Sequence, residues 1–161
     1  MAEILLLGNP KLWQISQPAT DISSPKTQEI IRNLSETLAQ FRSENGFGRA
    51  IAAPQIGVQQ RIIFTNVNGS FALINPVITN ASQELFELWD DCFSLPNLLV
   101  RVKRHVEIKV DFTNEHSVAQ SLNFQNDLSE LFQHEIDHLD GILATDRAID
   151  GRSFAMRSEV K

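Results

Sequence analysis

His134 and His138 stand four residues apart with Glu135 directly after the first. On an α-helix that spacing puts both imidazoles on one face, about a turn from each other, so they can reach a single metal ion. A glutamate in that position can serve as general base toward water at the ion. The competing reading is a surface helix that carries charged residues. A catalytic site of this sort takes three protein ligands and keeps one position open. Downstream the third ligand is hard to find: Ala144 stands where the metzincin pattern would place a histidine, and Glu159 is almost at the end of the chain. Upstream candidates are Cys92, His105, His116 and several carboxylates. Cys92 is the best of them on chemistry, because a thiolate with two imidazoles is a tetrahedral set suited to zinc and other late transition metals. His105, in a basic run, and His116, in a polar turn, read as structural or solvated.

The elements that must position these groups are partly legible. Ser24 can cap a helix that begins at Pro25, and Ile30, Ile31, Leu34, Leu38 and Phe41 recur at helical spacing. Asn45-Gly46 ends it, and it reads as scaffold. Arg61–Val67 and Phe71–Asn75 flank Asn68-Gly69, a hairpin signal. Val106–Thr113 alternates apolar and polar residues and predicts a half-buried strand. Pro76 and Pro96 are expected in turns between strands. The histidine helix should begin at Asp127, with Glu130 as its capping-box partner, and run to Asp140 before Gly141. The tail after Arg147 predicts no long helix. Strands followed by a late helix make the fold class α+β.

With 161 residues, 42% of them hydrophobic and 21% charged, the chain is expected to form one globular domain over residues 1–161. A net charge of −6 leaves no broad basic footprint, so no nucleic-acid partner is expected. One cysteine excludes an internal disulfide. The apolar run Ile4–Leu7 is too short for a signal peptide and no stretch is long enough to span a bilayer, so the expectation is a cytoplasmic protein without a membrane partner.

Three blocks resemble the peptide deformylase family. Gln133-His134-Glu135-Ile136-Asp137-His138-Leu139-Asp140-Gly141 is similar to its third motif. Asp90-Asp91-Cys92-Phe93-Ser94 resembles its Glu-Gly-Cys-Leu-Ser, and Gly48-Arg49-Ala50-Ile51-Ala52-Ala53-Pro54-Gln55 its Gly-x-Gly-φ-Ala-Ala-x-Gln. Their order and spacing agree with the family from Ile4 to about Arg147. The resemblance implies a deformylase-like fold that removes formyl from the N-terminal formylmethionine of nascent chains. It implies one divalent metal on Cys92, His134 and His138, with Fe2+ expected first and Zn2+, Ni2+ or Co2+ as substitutes. It further implies Glu135 as base, with the Gln55 amide and the Phe93 backbone N–H stabilising the developing oxyanion. Gly48, Arg49, Ala50, Asp91 and His134 would meet the substrate, an N-formylated peptide or nascent chain, and the ribosome is a further partner the resemblance admits. The small run Ala50–Ala53 would let a peptide pair as an added strand; by itself it would read as a tight, buried strand or turn.

The chain departs from the family in several places. Ala50 replaces a glycine, Asp90-Asp91 replaces Glu-Gly, Phe93 replaces leucine, and Asn97 and Leu99 stand where many relatives carry Gly and Arg. Asp127, Glu130 and Arg49 fall where relatives often line an apolar pocket, with helix capping the favoured role for the two acids. These changes bear on substrate preference more than on the chemistry. Two other functions compete: a catalytically weak or inactive deformylase-like protein that binds N-blocked peptides, and a small metallopeptidase.

Overall fold

In a computed structural model of the chain, residues 2–160 are described. Two helices, α1 (Pro25–Asn45) and α2 (Asp127–Leu139), accompany eight strands: β1 (Ala50–Ala52), β2 (Ile62–Thr65), β3 (Phe71–Ala81), β4 (Leu85–Asp91), β5 (Leu98–His105), β6 (Glu107–Thr113), β7 (Ala119–Gln125) and β8 (Phe154–Met156). Five of them form an antiparallel sheet in the order β1-β2-β3-β6-β7, and the other three form a second in the order β4-β5-β8. The architecture is α+β.

Alternation along the first sheet explains its burial on both faces. Ile62, Phe64, Ala72 and Ile74 pack with Ile30, Ile31, Leu34 and Leu38 of α1. Their neighbours Ile63 and Leu73, with Ala50 and Ala52, pack with Leu131, Phe132, Ile136 and Leu139 of α2. A period of two sends successive side chains to opposite faces, so a short strand buried at every position, such as Ile62–Thr65, serves both helices at once. The β1–β2 edge is therefore clamped from two sides, and that edge leads into Gln55.

α1 follows its signals closely. The Ser24 hydroxyl accepts from the Thr27 N–H at 3.2 Å, Pro25 opens the helix, and Gly46 closes it at φ 78° with its N–H donating to Arg42. The Asn68-Gly69 turn joins β2 to β3 as expected, but β3 runs on to Ala81. Pro76 lies inside that strand rather than in a turn. It sits where the β3–β6 register shifts between Ile74 and Val77, so its missing N–H costs no regular ladder bond.

α2 differs from expectation at its start. Asn126, at φ 53°, occupies the N-cap with no side-chain hydrogen bond, and neither Asp127 nor Glu130 caps the helix. Both carboxylates turn to Arg49 instead, with Nη1–Oδ2 at 3.3 Å to Asp127 and Nη2–Oε2 at 3.1 Å to Glu130. At the other end Gly141 adopts φ 70° beside the N-terminal segment, where a Cβ would come within 2.5 Å of the Trp13 carbonyl oxygen. Only glycine fits there. Beyond Arg147 the chain forms β8 and a short 3-10 turn, Arg157–Glu159.

Candidate metal centre

α2 buries eleven of its thirteen residues, and several of these are polar or charged. Such a helix costs free energy for every buried polar group left without a partner. Gln133 bonds the His105 N–H and carbonyl and the Ser129 hydroxyl. Asp137 receives Arg104 and, at 2.7 Å, Arg147. Arg104 also reaches Asp90 at 3.0 Å, and the second oxygen of Asp90 lies 2.8 Å from His134 Nδ1. A relay thus runs from Arg147 through Asp137, Arg104 and Asp90 to the first histidine. It fixes the ring so that Nε2 points away from the carboxylate.

Cys92 comes from another part of the fold, the turn that follows β4. Its Sγ lies 3.3 Å from His138 Nε2, which in turn lies 3.1 Å from His134 Nε2. All three ligand atoms fall within 4.8 Å of one another, and all three residues are buried. Ligand atoms sharing one tetrahedral ion stand roughly 3.4–3.6 Å apart, so the cluster has the scale of a single metal site. Soft sulfur with two imidazole nitrogens, brought together by buried residues, is a donor set that fits a late transition metal. His105 and His116 stay outside: His105 Nδ1 lies 2.6 Å from the Ser82 carbonyl, and His116 is exposed.

The charges around the cluster are set by burial and by near neighbours. Burial would raise the Asp90 carboxyl, but His134 and Arg104 outweigh it and hold it at about 2. Burial disfavours a charged His134, yet the facing Asp90 and Cys92 raise it well above its ordinary value. At His138 burial, with the charges of His134 and Arg104, outweighs the pull of Asp90 and keeps it well below. Glu135 is fully enclosed, its Oε2 has no partner among the described residues, and burial pushes its carboxyl up to about 7. A carboxyl poised near neutrality and free to move a proton is what a general base or acid requires.

Gln55 reaches the cluster from the turn after β1. Its Oε1 accepts from the Ala52 N–H at 2.9 Å, which turns the amide nitrogen toward Cys92 Sγ at 3.6 Å and Ser94 Oγ at 3.4 Å. Phe93 follows the sulfur, and its ring stacks on Phe41 of α1 at 3.8 Å. That packing leaves no room for a side chain on residue 48, where a Cβ would meet the Phe93 ring at 3.1 Å and φ is 134°. Gly48 therefore fixes Phe93 as well as the entry to β1.

Cys92, His134, Glu135 and Gln55 share a cavity of about 390 Å³ with Arg49, Glu130 and Arg157. Gly48, Ala50, Asp91 and Phe93 border it too. The Ala50 side chain is buried among α2-facing apolar residues, so the methyl added relative to the family motif is absorbed by the core. Asp91 pairs with Arg157 at 3.0 Å, and that guanidinium also lies 4.8 Å over the Phe47 ring. Asn97 adopts the left-handed φ of 64° that glycine would take, and its carbonyl accepts from the Arg157 N–H at 2.7 Å. Leu99 is buried on β5. Sequence reasoning missed Arg104 and Arg157: the first looked like part of a surface basic run, and the second lies in a tail without a motif.

A family profile described as polypeptide deformylase matches residues 1–153. Peptide deformylase 1 of Prochlorococcus marinus is 32% identical, with 99% of this chain and 86% of that protein covered. A peptide deformylase of Desulfitobacterium hafniense is 36% identical over 91% and 93%. Among solved structures, the crystal structure of peptide deformylase from Thermotoga maritima superposes with a TM-score of 0.85 at 30% identity, covering 93% of this chain and 99% of that one. The Synechococcus elongatus enzyme, solved in complex with actinonin, reaches the same TM-score at 27% identity over 93% and 80%. Matched nearly end to end in both sequence and fold, this chain belongs to the polypeptide deformylase family.

Proposed function

We propose that this chain removes the N-formyl group from N-terminal formylmethionine of nascent polypeptides, using one divalent metal held by Cys92, His134 and His138. The convergence of one sulfur and two imidazole nitrogens beside Glu135, whose Oε2 has no partner among the described residues, carries this reading. A metal held by these residues would supply Lewis acidity toward the formyl carbonyl and toward water. Family precedent favours Fe2+, with Zn2+, Ni2+ or Co2+ as substitutes.

The protein groups divide the remaining work. Glu135 takes a proton from the attacking water and returns it to the departing amine nitrogen, a role matched by its raised pKa of about 7. The Gln55 amide, aimed by Ala52, and the Phe93 backbone N–H donate to the oxygen that gains charge as the carbonyl carbon becomes tetrahedral. Asp90 and Arg104 hold His134 in the orientation that presents Nε2. β1 is an edge strand, so its free side can pair with the peptide backbone at Arg49–Ala50 while Gly48 lets it approach. Among the described residues no helix is long and apolar enough to cross a membrane. A single domain in the cytoplasm, meeting its substrate at the ribosome, completes the reading.

Formate release from formyl-Met-Ala-Ser by metal-loaded protein tests it. Release that disappears in Glu135→Ala supports the reading. No release, with none restored by Asp91→Gly and Ala50→Gly, contradicts it. One observation favours a second reading: the Asp91–Arg157 pair stands in the cavity wall beside the sulfur ligand. Tight binding of a hydroxamate deformylase inhibitor without formate release would identify a protein that binds N-blocked peptides and does not turn them over.

A further inference from the structure

The Cys92 sulfur and the Phe93 N–H both sit in the turn that joins β4 to β5. The β4–β5 ladder closes at Asp91–Leu99, so residues 92–98 are held by other contacts. Inside the turn the Leu95 N–H donates to the Cys92 carbonyl at 3.0 Å, and the Leu98 N–H to the Leu95 carbonyl at 3.1 Å. Further ties reach it from outside, and one residue supplies two of them. Arg157 lies past residue 153, where the match to the family profile ends, and so outside the motifs that carry the resemblance.

β8 pairs with β5 as Met156 with Leu98 and Ala155 with Leu99, and the Arg157 N–H extends that ladder to the Asn97 carbonyl at 2.7 Å. Residues two apart on a strand share a face, so the Arg157 side chain leaves on the face of Ala155, Leu99 and Asp91. It crosses that face to bring Nη2 within 3.0 Å of Asp91 Oδ2, and its guanidinium lies 4.8 Å over the Phe47 ring. The main chain of Arg157 thus holds one end of the turn and its side chain the other. The ring contact ties both to the segment that leads into β1, and Phe47, Asp91 and Arg157 all border the metal cavity. The Arg157 and Asp91 side chains are 39% and 40% exposed, so their ion pair contributes little to overall stability. What it restricts is the place of Asp91, the residue bonded directly to Cys92. Resting on the deformylase reading above, we propose that Arg157 is a positioning residue: acting through Asp91, it sets the Cys92–Phe93 turn, and with it the sulfur's place in the metal shell and the aim of the Phe93 N–H.

Arg157→Met keeps an unbranched stem and the main-chain bond to Asn97 while removing the charge. Three quantities are compared with the wild type: Co2+ affinity by competition with a chelator, the thiolate-to-cobalt charge-transfer absorption of the Co2+ form, and kcat and KM for formate release from formyl-Met-Ala-Ser. Co2+ affinity is expected to fall about tenfold, the scale of a lost contact behind a metal ligand. The charge-transfer band should weaken or move. A displaced oxyanion donor acts on the transition state alone, so kcat should fall about tenfold with KM held within about twofold. Arg157→Lys, which restores the charge, should recover part of each loss. Asp91→Asn should match Arg157→Met, and the double variant should lose no more than either single one, because the two side chains act as one unit. If Arg157→Met does not fold, Asp91→Asn gives the same reading. A lowered melting temperature with affinity, band and kcat all as in the wild type is the mark of a merely structural tie and overturns the proposal. So does a higher kcat in either single variant, which would make the pair an obstruction. A wild type that shows the band, moved by Arg157→Met, but releases no formate would sink the deformylase reading and leave this inference standing. Formate release from the wild type, with affinity and band unchanged in both variants, would do the reverse.

Discussion

α1 and α2 use the same backbone geometry for opposite purposes. α1 has a capped start, a glycine close, an apolar stripe toward the sheet and an exposed polar face. α2 has no side-chain cap at its start and buries His134, Glu135, Asp137 and His138. α1 contributes stability through apolar packing, and its polar face is interchangeable. α2 stabilises the fold through Leu131, Phe132, Ile136 and Leu139; its polar residues cost stability unless partnered, and the proposed chemistry is drawn from those residues. Substitutions in α1 should therefore change stability alone, and substitutions at the buried polar positions of α2 should change activity.

The largest expected effect tests the second half of that contrast. Glu135→Gln should lower kcat by about a thousandfold in a formate-release assay, the usual contribution of a general base. The same change should stabilise the metal-free protein at neutral pH. A carboxyl raised from 4.5 to about 7 on folding contributes stability below pH 4.5 that is lost as pH rises through 7. For Glu135 the full loss is about 3 kcal/mol, most of it between pH 5 and pH 8, and chemical denaturation at those two values should show that part of the pH dependence removed in the variant.

Breaking the relay behind His134 comes next. Arg104→Met leaves Asp90 and Asp137 buried without their shared cation, which should cost about 3–5 kcal/mol in urea unfolding. Metal affinity, read by competition with a chelator, should fall about 10–100-fold because the ring of His134 is no longer held. In α1, Leu34→Ala should destabilise by about 3 kcal/mol, with kcat of the folded fraction unchanged. Ser24→Ala should cost about 1 kcal/mol by thermal melting and leave kinetics untouched. A kcat change from either α1 variant as large as that from Glu135→Gln would erase the distinction between the helices.

What the sequence made legible follows the same division. α1 was readable to within a residue at its start because its caps and apolar period all point one way. His134 and His138 could be paired before any coordinates by their helical spacing, and Cys92 was the best of several upstream candidates on chemistry, completed as a set only by the resemblance to deformylases. β4 and β5 were not foreseen: residues 98–105 mix leucine and valine with three basic residues, and one of these, Arg104, is almost fully buried in an ion-pair network that composition cannot distinguish from a surface run. The capping role expected of Asp127 and Glu130 failed because a residue 78 positions from Asp127, Arg49, competes for their carboxylates. Local patterns report local partners; the partners that shape the cavity come from elsewhere in the chain.

X-ray absorption at the edge of the metal bound by purified protein examines the central claim most directly. One ion per chain, with one sulfur and two imidazole nitrogens in its shell and the sulfur lost in Cys92→Ser, is the predicted result. An ion with no sulfur neighbour, or with a shell that Cys92→Ser leaves unchanged, would contradict it.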